Sequence, residues 1–304
     1  GEWKTRKTRV IITNNFNLPD VVVSALTQDD YTKGKSNRSV TQLIDSPQVA
    51  VLARENADDI KQDAVDFLWS RFGTSVHTMF EKAAEGADKV ISEERMFAEV
   101  LGWTISGAVD LQELSDGGRI VSDYKVTSVW SVIFAKKEWH NQLNCYAWLI
   151  RKSHGAVVKQ LRIIAIIRDW QRRRASEDST YPQSPIKIIE IPLWSDEEQD
   201  AYVEGRVRLH QEAEFKRLTG GELEECTQAE TWKKDDSYAV VKKGRKRAIR
   251  VLGSQQDADD FIDAIAIEPE KHSVEVRKGE ATRCIQDWCR VSKWCPQFTK
   301  EYRS

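Results

Sequence analysis

The sequence has 304 residues, 46 basic against 48 acidic side chains, a formal net charge of −2, and 40% hydrophobic residues. That length suits one large domain or a domain with a smaller appendage, and the apolar content is enough for a sizeable core. Charge balance excludes a global basic field, so nucleic-acid contact must come from local patches, and no run approaches the ~18 apolar residues of a membrane helix.

Residues 1–38 are polar and poorly periodic apart from an apolar island at 21–26, and read as an irregular arm. The stretch SNRSVTQLIDSPQVAVLAREN, 36–56, has helical spacing, with Ser39 as a cap and Pro47 breaking or restarting the helix. DDIKQDAVDFLWSRFG, 58–73, predicts a helix in which Ile60, Ala64, Phe67 and Leu68 share a face and Gly73 is the stop. TSVHTMFEKAAEG, 74–86, predicts another, capped by Thr74 or Ser75. The period then changes to two, with strands expected at 92–101, 104–114 and 118–127 and a tight turn at Ser115-Asp116-Gly117-Gly118. A helix at 139–153, a buried strand at 159–170, a basic polar loop at 171–185, a strand at 186–194 and a long amphipathic helix near 195–219 follow. Gly220-Gly221 ends that helix. Strands near 237–251, a helix near 254–265 and a strand at 272–277 complete a second region. The order describes an α/β fold with a central mixed sheet flanked by helices. Its expected divisions are an arm (1–38), a core (39–220) and a cysteine-containing C-terminal region with a small α/β insert (221–304).

The chemistry concentrates in ISGAVDLQELSDGGRIVSDYKVTS, 105–128. Strand alternation points Asp123 and Lys125 the same way and Tyr124 the other. Asp110 ends the neighbouring strand, and strands ~4.8 Å apart allow both acids to hold one small hard cation. Mg²⁺ or Mn²⁺ with open water positions suits phosphodiester hydrolysis, and a lysine beside it orients or deprotonates water or offsets charge on the phosphate. An Asp-x-Lys alone is usually a solvated strand face. Three neighbours add to it. His77 lies four residues before Glu81 on a helix and is a further candidate ligand. Gly107 in GAVD admits close backbone or substrate approach. Gln142 and Tyr146, at i and i+4, reach one helix face. Glu94 is a candidate extra acid, although a solvated glutamate is the simpler reading.

The order His77, Gly107-Ala108-Val109-Asp110, Asp123-Tyr124-Lys125, Gln142-Leu143-Asn144-Cys145-Tyr146 resembles the RecB-like branch of the PD-(D/E)XK nuclease superfamily. That branch carries a helix His, a GxxD acid, a (D/E)xK strand and a QxxxY helix in this order. The resemblance covers roughly residues 39–170 and the C-terminal cysteines. It implies a restriction-endonuclease-like core. His77, Asp110, Asp123 and the Tyr124 carbonyl are then metal ligands and Lys125 the catalytic lysine, with Gln142 and Tyr146 supporting the site or DNA.

Five cysteines without a secretory leader argue against a disulfide framework and for a reducing cytoplasmic setting. Cys284, Cys289 and Cys295 fall within 12 residues, with Cys226 upstream, and their thiolates fit Zn²⁺ or a [4Fe–4S] cluster. The five-residue gap between Cys289 and Cys295 favours the cluster, which Trp288, Trp294 and Phe298 would shield. RecB-like nucleases, including one of CRISPR adaptation, carry such a staple with one ligand in a Cys-Pro step before the core. This chain has Ser46-Pro47 there, so either Cys226 is the fourth ligand, closing the insert at 227–283, or the site is incomplete. Cys145 reads as core.

Arg172, Arg173 and Arg174, after Arg168, and the run Lys242 to Arg247 are solvated faces or phosphate contacts. Trp130 or Trp170 is a candidate for stacking on single-stranded bases. The expected function is a Mg²⁺- or Mn²⁺-dependent nuclease. Resemblance alone points to DNA ends or single strands as substrate, in recombination, replication or repair, as in a compact phage-type exonuclease. Two alternatives stand beside it: a catalytically silent DNA-binding or assembly module, and an RNA or structure-specific endonuclease. Oligomeric state is not legible.

Overall fold

The computed structural model describes residues 3–4, 10–28, 34–134, 136–245, 247–265, 269–286 and 288–302. These form two compact units, Gly1–Leu223 and Glu224–Ser304.

The first unit opens with β1 (Trp3–Lys4), β2 (Ile11–Thr13) and α1 (Asp20–Thr27), then β3 (Arg38–Ser39), α2 (Val40–Ile44), α3 (Pro47–Glu55) and β4 (Lys61–Asp63). The segment expected to be irregular therefore carries order. Its apolar island is α1, hidden from periodicity because three consecutive valines mark no helical face. β2 pairs in parallel with β4, and Ile12, Val23 and Ala64 make a small core. The predicted helix at 58–73 starts late for the same reason: residues 61–63 complete this sheet. Asp63 accepts from Thr13 Oγ1, Asn15 N and Val65 N, so it ends the strand and caps the turn that follows.

Pro47 restarts the chain as a new helix. Ser39 forms a capping box with Gln42 on α2, and Ser46 caps Val49 N at the head of α3. One helix, α4 (Leu68–Ala84), replaces the two expected around Gly73. Thr74 and Ser75 do not cap. Their hydroxyls donate back to Ser70 O and Arg71 O within the continuous helix.

The strands at 92–127 appear as β5 (Val90–Val100), β6 (Trp103–Ser115) and β7 (Gly118–Thr127). Then come α5 (Val129–Ile133), α6 (Lys137–His154), β8 (Val158–Ile167), α7 (Arg172–Glu177), β9 (Ile186–Ile191) and α8 (Asp196–Leu218). The basic loop at 171–185 thus contains a short helix. The main sheet runs β3-β6-β7-β8-β9 with β5 on β6. Its pairings are parallel for β3–β6 and β7–β8 and antiparallel elsewhere, a mixed sheet as expected. Helix α6 makes the crossover that the parallel β7–β8 pair requires. It buries Leu143, Leu149 and Ile150 against Ile105, Val121, Leu161 and Ile163. Gly155, at φ 62°, ends it by donating its N–H to Arg151 O. From α8, Arg206 Nε donates to Leu43 O at 3.0 Å and His210 Nε2 lies 3.0 Å from the same oxygen, fixing α2.

Gly107 has a packing reason. A Cβ there would lie 2.7 Å from Leu149 Cδ1 and 2.9 Å from Tyr146 Cε1, so the close approach it admits is that of α6. Gly107→Ala is expected to cost about 1–3 kcal/mol by overpacking. Thermal unfolding measures it, and an unchanged melting point would show that α6 yields freely.

The second unit contains β10 (Ser237–Lys242), β11 (Arg250–Leu252), α9 (Gln255–Ile265), β12 (His272–Arg277), α10 (Thr282–Ile285) and α11 (Pro296–Tyr302). Its sheet runs β11-β10-β12, all antiparallel. The turn after β10 has Gly244 at φ 87° and carries the basic run, of which Lys246 lies outside the described residues. Among the described residues no helix is long and apolar enough to cross a membrane.

Candidate active site

Two hairpin turns align three acids. The β5–β6 hairpin closes on Leu101-Gly102, at φ 50° and 75°, so that Val100 faces Trp103. Counting back along both strands sets Glu93 across from Asp110. The β6–β7 hairpin pairs Ser115 with Gly118 around Gly117, at φ 80°, and the same count sets Asp110 across from Asp123. Regular pairing lapses at both crossings. The β5–β6 ladder skips Glu93, whose φ is 49°, and the β6–β7 ladder stops at Leu111 and Ser122. Beyond that point β7 follows β8, while β3 pairs with Ile105 and Ser106 of β6. The strands part, and the acids stand in the gap.

Asp110 takes over one ladder bond: its Oδ2 accepts the Tyr124 N–H at 2.7 Å. From α4, His77 Nε2 lies 3.1 Å from the Tyr124 carbonyl oxygen. A carbonyl only accepts, so Nε2 carries hydrogen and Nδ1 turns to the acids, 3.5 Å from Glu93 Oε1 and from Asp110 Oδ1. The Tyr124 ring stacks on Phe80 with centroids 4.5 Å apart, on the side away from Asp123 and Lys125. Lys125 Nζ lies 2.5 Å from Asp123 Oδ2. Buried Ile163 and Ala165 of β8 stand beside Asp123 and Lys125 and keep this strand rigid.

Burial pushes the Asp110 carboxyl up to about 8, helped by Asp123 and opposed by His77 and Lys125. Burial alone would push His77 down. Glu93, Asp110 and Asp123 outweigh it and hold the imidazole up at about 8. These are the marks of three acids gathered around one imidazole and one ammonium group.

A divalent cation fits this set. One ligand atom each from His77, Glu93 and Asp110 lie within 4.8 Å of one another. Among the described residues Glu93 Oε1 and Asp123 Oδ2 are buried without a hydrogen bond, offset by His77 and Lys125 nearby. Carboxylate oxygens with one imidazole suit Mg²⁺ or Mn²⁺.

His77, Asp110, Asp123, Lys125, Gln142 and Tyr146 all line one cleft of about 530 Å³. Tyr124 contributes its carbonyl at the floor. Gln142 Nε2 donates to Tyr146 Oη at 2.8 Å, tying the two side chains together at the cleft wall. Sequence reasoning missed Glu93. Glu94, the acid it considered, turns away to Gln112 Nε2, Arg119 and His154. The signal was present in the Leu101-Gly102 turn, which sets 93 rather than 94 across from Asp110. Arg71 and Gly73 of α4 also line the cleft, and nothing lies within 4 Å of a Cβ built on Gly73.

Arg172, Arg173 and Arg174 lie on α7, and Arg174 lines a different cleft with Trp130. Trp170 is tied down: its Nε1 donates to Pro182 O at 2.7 Å and its ring packs on the core. Cys145 is a core thiol pushed up to about 12 by burial. Cys226, Cys284, Cys289 and Cys295 belong to the second unit. Cys226 exchanges backbone hydrogen bonds with the Gln297 side chain, and Phe298 N donates to Cys295 Sγ at 3.4 Å. The Cys284 thiol is pushed up to about 11 by burial and then by Cys289 and Cys295. Among the described residues no three cysteine sulfurs come within 4.8 Å of one another, the spacing a single tetrahedral ion would need. The spacing brought the cysteines to one neighbourhood but did not fix where their side chains point.

This chain belongs to the PD-(D/E)XK nuclease superfamily, whose profile it matches over residues 53–296. It is therefore a protein of a class that cleaves phosphodiester bonds of nucleic acid with divalent metal. Among solved structures, that of SSO0001 is similar at a TM-score of 0.44 and 18% identity, covering 62% of this chain and 84% of that one. LHK-Exo in complex with dAMP is similar at a TM-score of 0.31 and 12% identity, covering 60% and 92%. No curated protein matches.

Proposed function

We propose that the protein is a DNA nuclease of the RecB-like branch, acting as an exonuclease on DNA ends or single strands. The observation that carries the nuclease reading is the convergence of His77, Glu93 and Asp110 within 4.8 Å, beside the Asp123–Lys125 pair. His77, Asp110, Asp123 and the Tyr124 carbonyl hold Mg²⁺ or Mn²⁺, with Glu93 completing the set. The bound cation supplies a water of lowered pKa and positive charge against the phosphate oxygens. Lys125, 26% exposed and fixed at Asp123, orients that water and offsets charge on the phosphate. Gln142 and Tyr146, joined by their hydrogen bond, support the site or the DNA. The exonuclease assignment rests on the motif order, and a phage-type role in recombination, replication or repair follows from the same resemblance.

Cleavage of end-labelled single- and double-stranded DNA in Mg²⁺, Mn²⁺ or EDTA, beside an Asp123→Ala control, tests the reading. Metal-dependent digestion that vanishes in the control is expected, and the product ladder gives polarity. DNA bound but never cut would make the chain a binding module. Preferential cleavage of RNA would make it an RNA endonuclease.

The thiols of Cys226, Cys284, Cys289 and Cys295 are proposed to hold a structural metal, a [4Fe–4S] cluster or Zn²⁺. Cys289→Ser is then expected to lower bound iron or zinc and the melting temperature of the full chain. Unchanged metal content and melting curve would remove the site.

A further inference from the structure

A second cleft, of about 440 Å³, opens where β7 and β8 end, beyond the acids. Trp130 and Ile133 of α5 form one wall, and Arg174 of α7 faces them. Trp130 is 63% exposed, and Phe134, 69% exposed, stacks on it with rings 5.8 Å apart and 8° from parallel. Two large parallel rings, stacked on each other and left largely to solvent, expose aromatic faces on which a further ring can stack. The acids around it are already engaged. Asp169 accepts from Val129 N, Glu177 pairs with Arg173, and Asp178 accepts from Thr180 N and Oγ1. Exposed Arg172 and Arg174 make no ion pair among the described residues. The offer is an exposed aromatic stack beside the guanidinium groups of Arg172 and Arg174, with Asp169, Glu177 and Asp178 on the same lining, a surface suited to stacking on bases.

This platform lies near the acidic cleft. Trp130 follows Lys125 by five residues, so the two are within about 17 Å of each other. Arg168 lies over the Trp69 ring, 4.4 Å from its centroid. Trp69 precedes Ser70 and Arg71 of the acidic cleft, and Arg168 precedes Asp169 of the second, so this stack joins the two rims.

We infer that the Trp130–Phe134 platform and Arg174 form a subsite that stacks a base of the single strand leading to or from the acidic cleft. The inference rests on the nuclease reading and adds the form of nucleic acid this chain grips. Rims that meet at Arg168 and Trp69 suit one continuous strand passing between the two clefts.

The test is binding of a 2-aminopurine-labelled single-stranded oligonucleotide to the full chain in EDTA, where cleavage is off. Trp130→Ala is expected to weaken binding on the order of 5- to 100-fold and to reduce quenching of the label. Trp130→Phe should restore most of the affinity, and Arg174→Ala should weaken binding and flatten its salt dependence. A blunt duplex of equal length should respond less. Trp130 is mostly exposed, so the variants should melt as the parent does. Binding within twofold of the parent in both Trp130→Ala and Arg174→Ala would overturn the subsite, and a parent that still cuts DNA would keep the nuclease reading intact. Loss of the label response with Trp130→Ala in a chain that never cuts DNA would keep the subsite and overturn the nuclease.

Discussion

Replacing Lys125 with alanine should lower metal-dependent DNA cleavage by about 10²–10⁴-fold while metal and DNA still bind. The ammonium sits 2.5 Å from Asp123 Oδ2, an oxygen with no hydrogen bond of its own, on a strand backed by buried Ile163 and Ala165. On the proposed reading it acts on the nucleophile or the phosphate, and its ion pair among the described residues is with Asp123. Removing a positive charge beside a cation site relieves repulsion, so metal affinity should hold or rise. Single-turnover cleavage and calorimetric metal titration separate the two effects. Full activity in the variant would end the catalytic assignment. Loss of metal together with activity would show that Lys125 serves only to position Asp123.

Metal binding should tighten as pH rises from about 6 to about 8 and level off above. Asp110 and His77 are both held up at about 8, so near neutrality the metal-free site carries protons that a cation must displace. Both groups bind protons more tightly folded than unfolded. Their contribution to stability is therefore present at low pH and lost as pH rises through about 8. The metal-free melting temperature should fall across that window, and added Mg²⁺ or Mn²⁺ should reverse the fall. Asp110→Asn removes the buried charge. It should flatten the pH dependence of the metal-free protein and weaken metal binding by at least about 100-fold. A pH-independent metal affinity, or Asp110→Asn with parental affinity, would show that the cation binds elsewhere.

Much of this site was written in local pattern. Alternation along β7 put Asp123 and Lys125 on one side and Tyr124 on the other, and the structure has the Tyr124 ring on Phe80, away from the ion pair. Helical spacing put Gln142 within reach of Tyr146, and their side chains are bonded at 2.8 Å. Local pattern failed where a residue's role depended on something distant. Gly73 looked like a stop, but a helix continues through a glycine when neighbouring turns hold it, here at a cost of roughly 1 kcal/mol relative to alanine. Lys61–Asp63 looked helical because the strand it pairs with, Ile11–Thr13, lies 50 residues upstream.

The sequence alone determined most elements from β5 to α8, their order and the candidate aspartates, lysine and histidine of the cleft, because periodicity, caps and tight turns act over a few residues. Tertiary structure decided which acids meet. Glu93 rather than Glu94 joins Asp110, since hairpin register sets the opposing residue and the left-handed backbone at 93 breaks the alternation. It also decided that His77 closes the set from a separate helix, and that β6 and β7 part just where their two aspartates face each other. Those outcomes depend on packing between segments far apart in the chain, which no local spacing encodes.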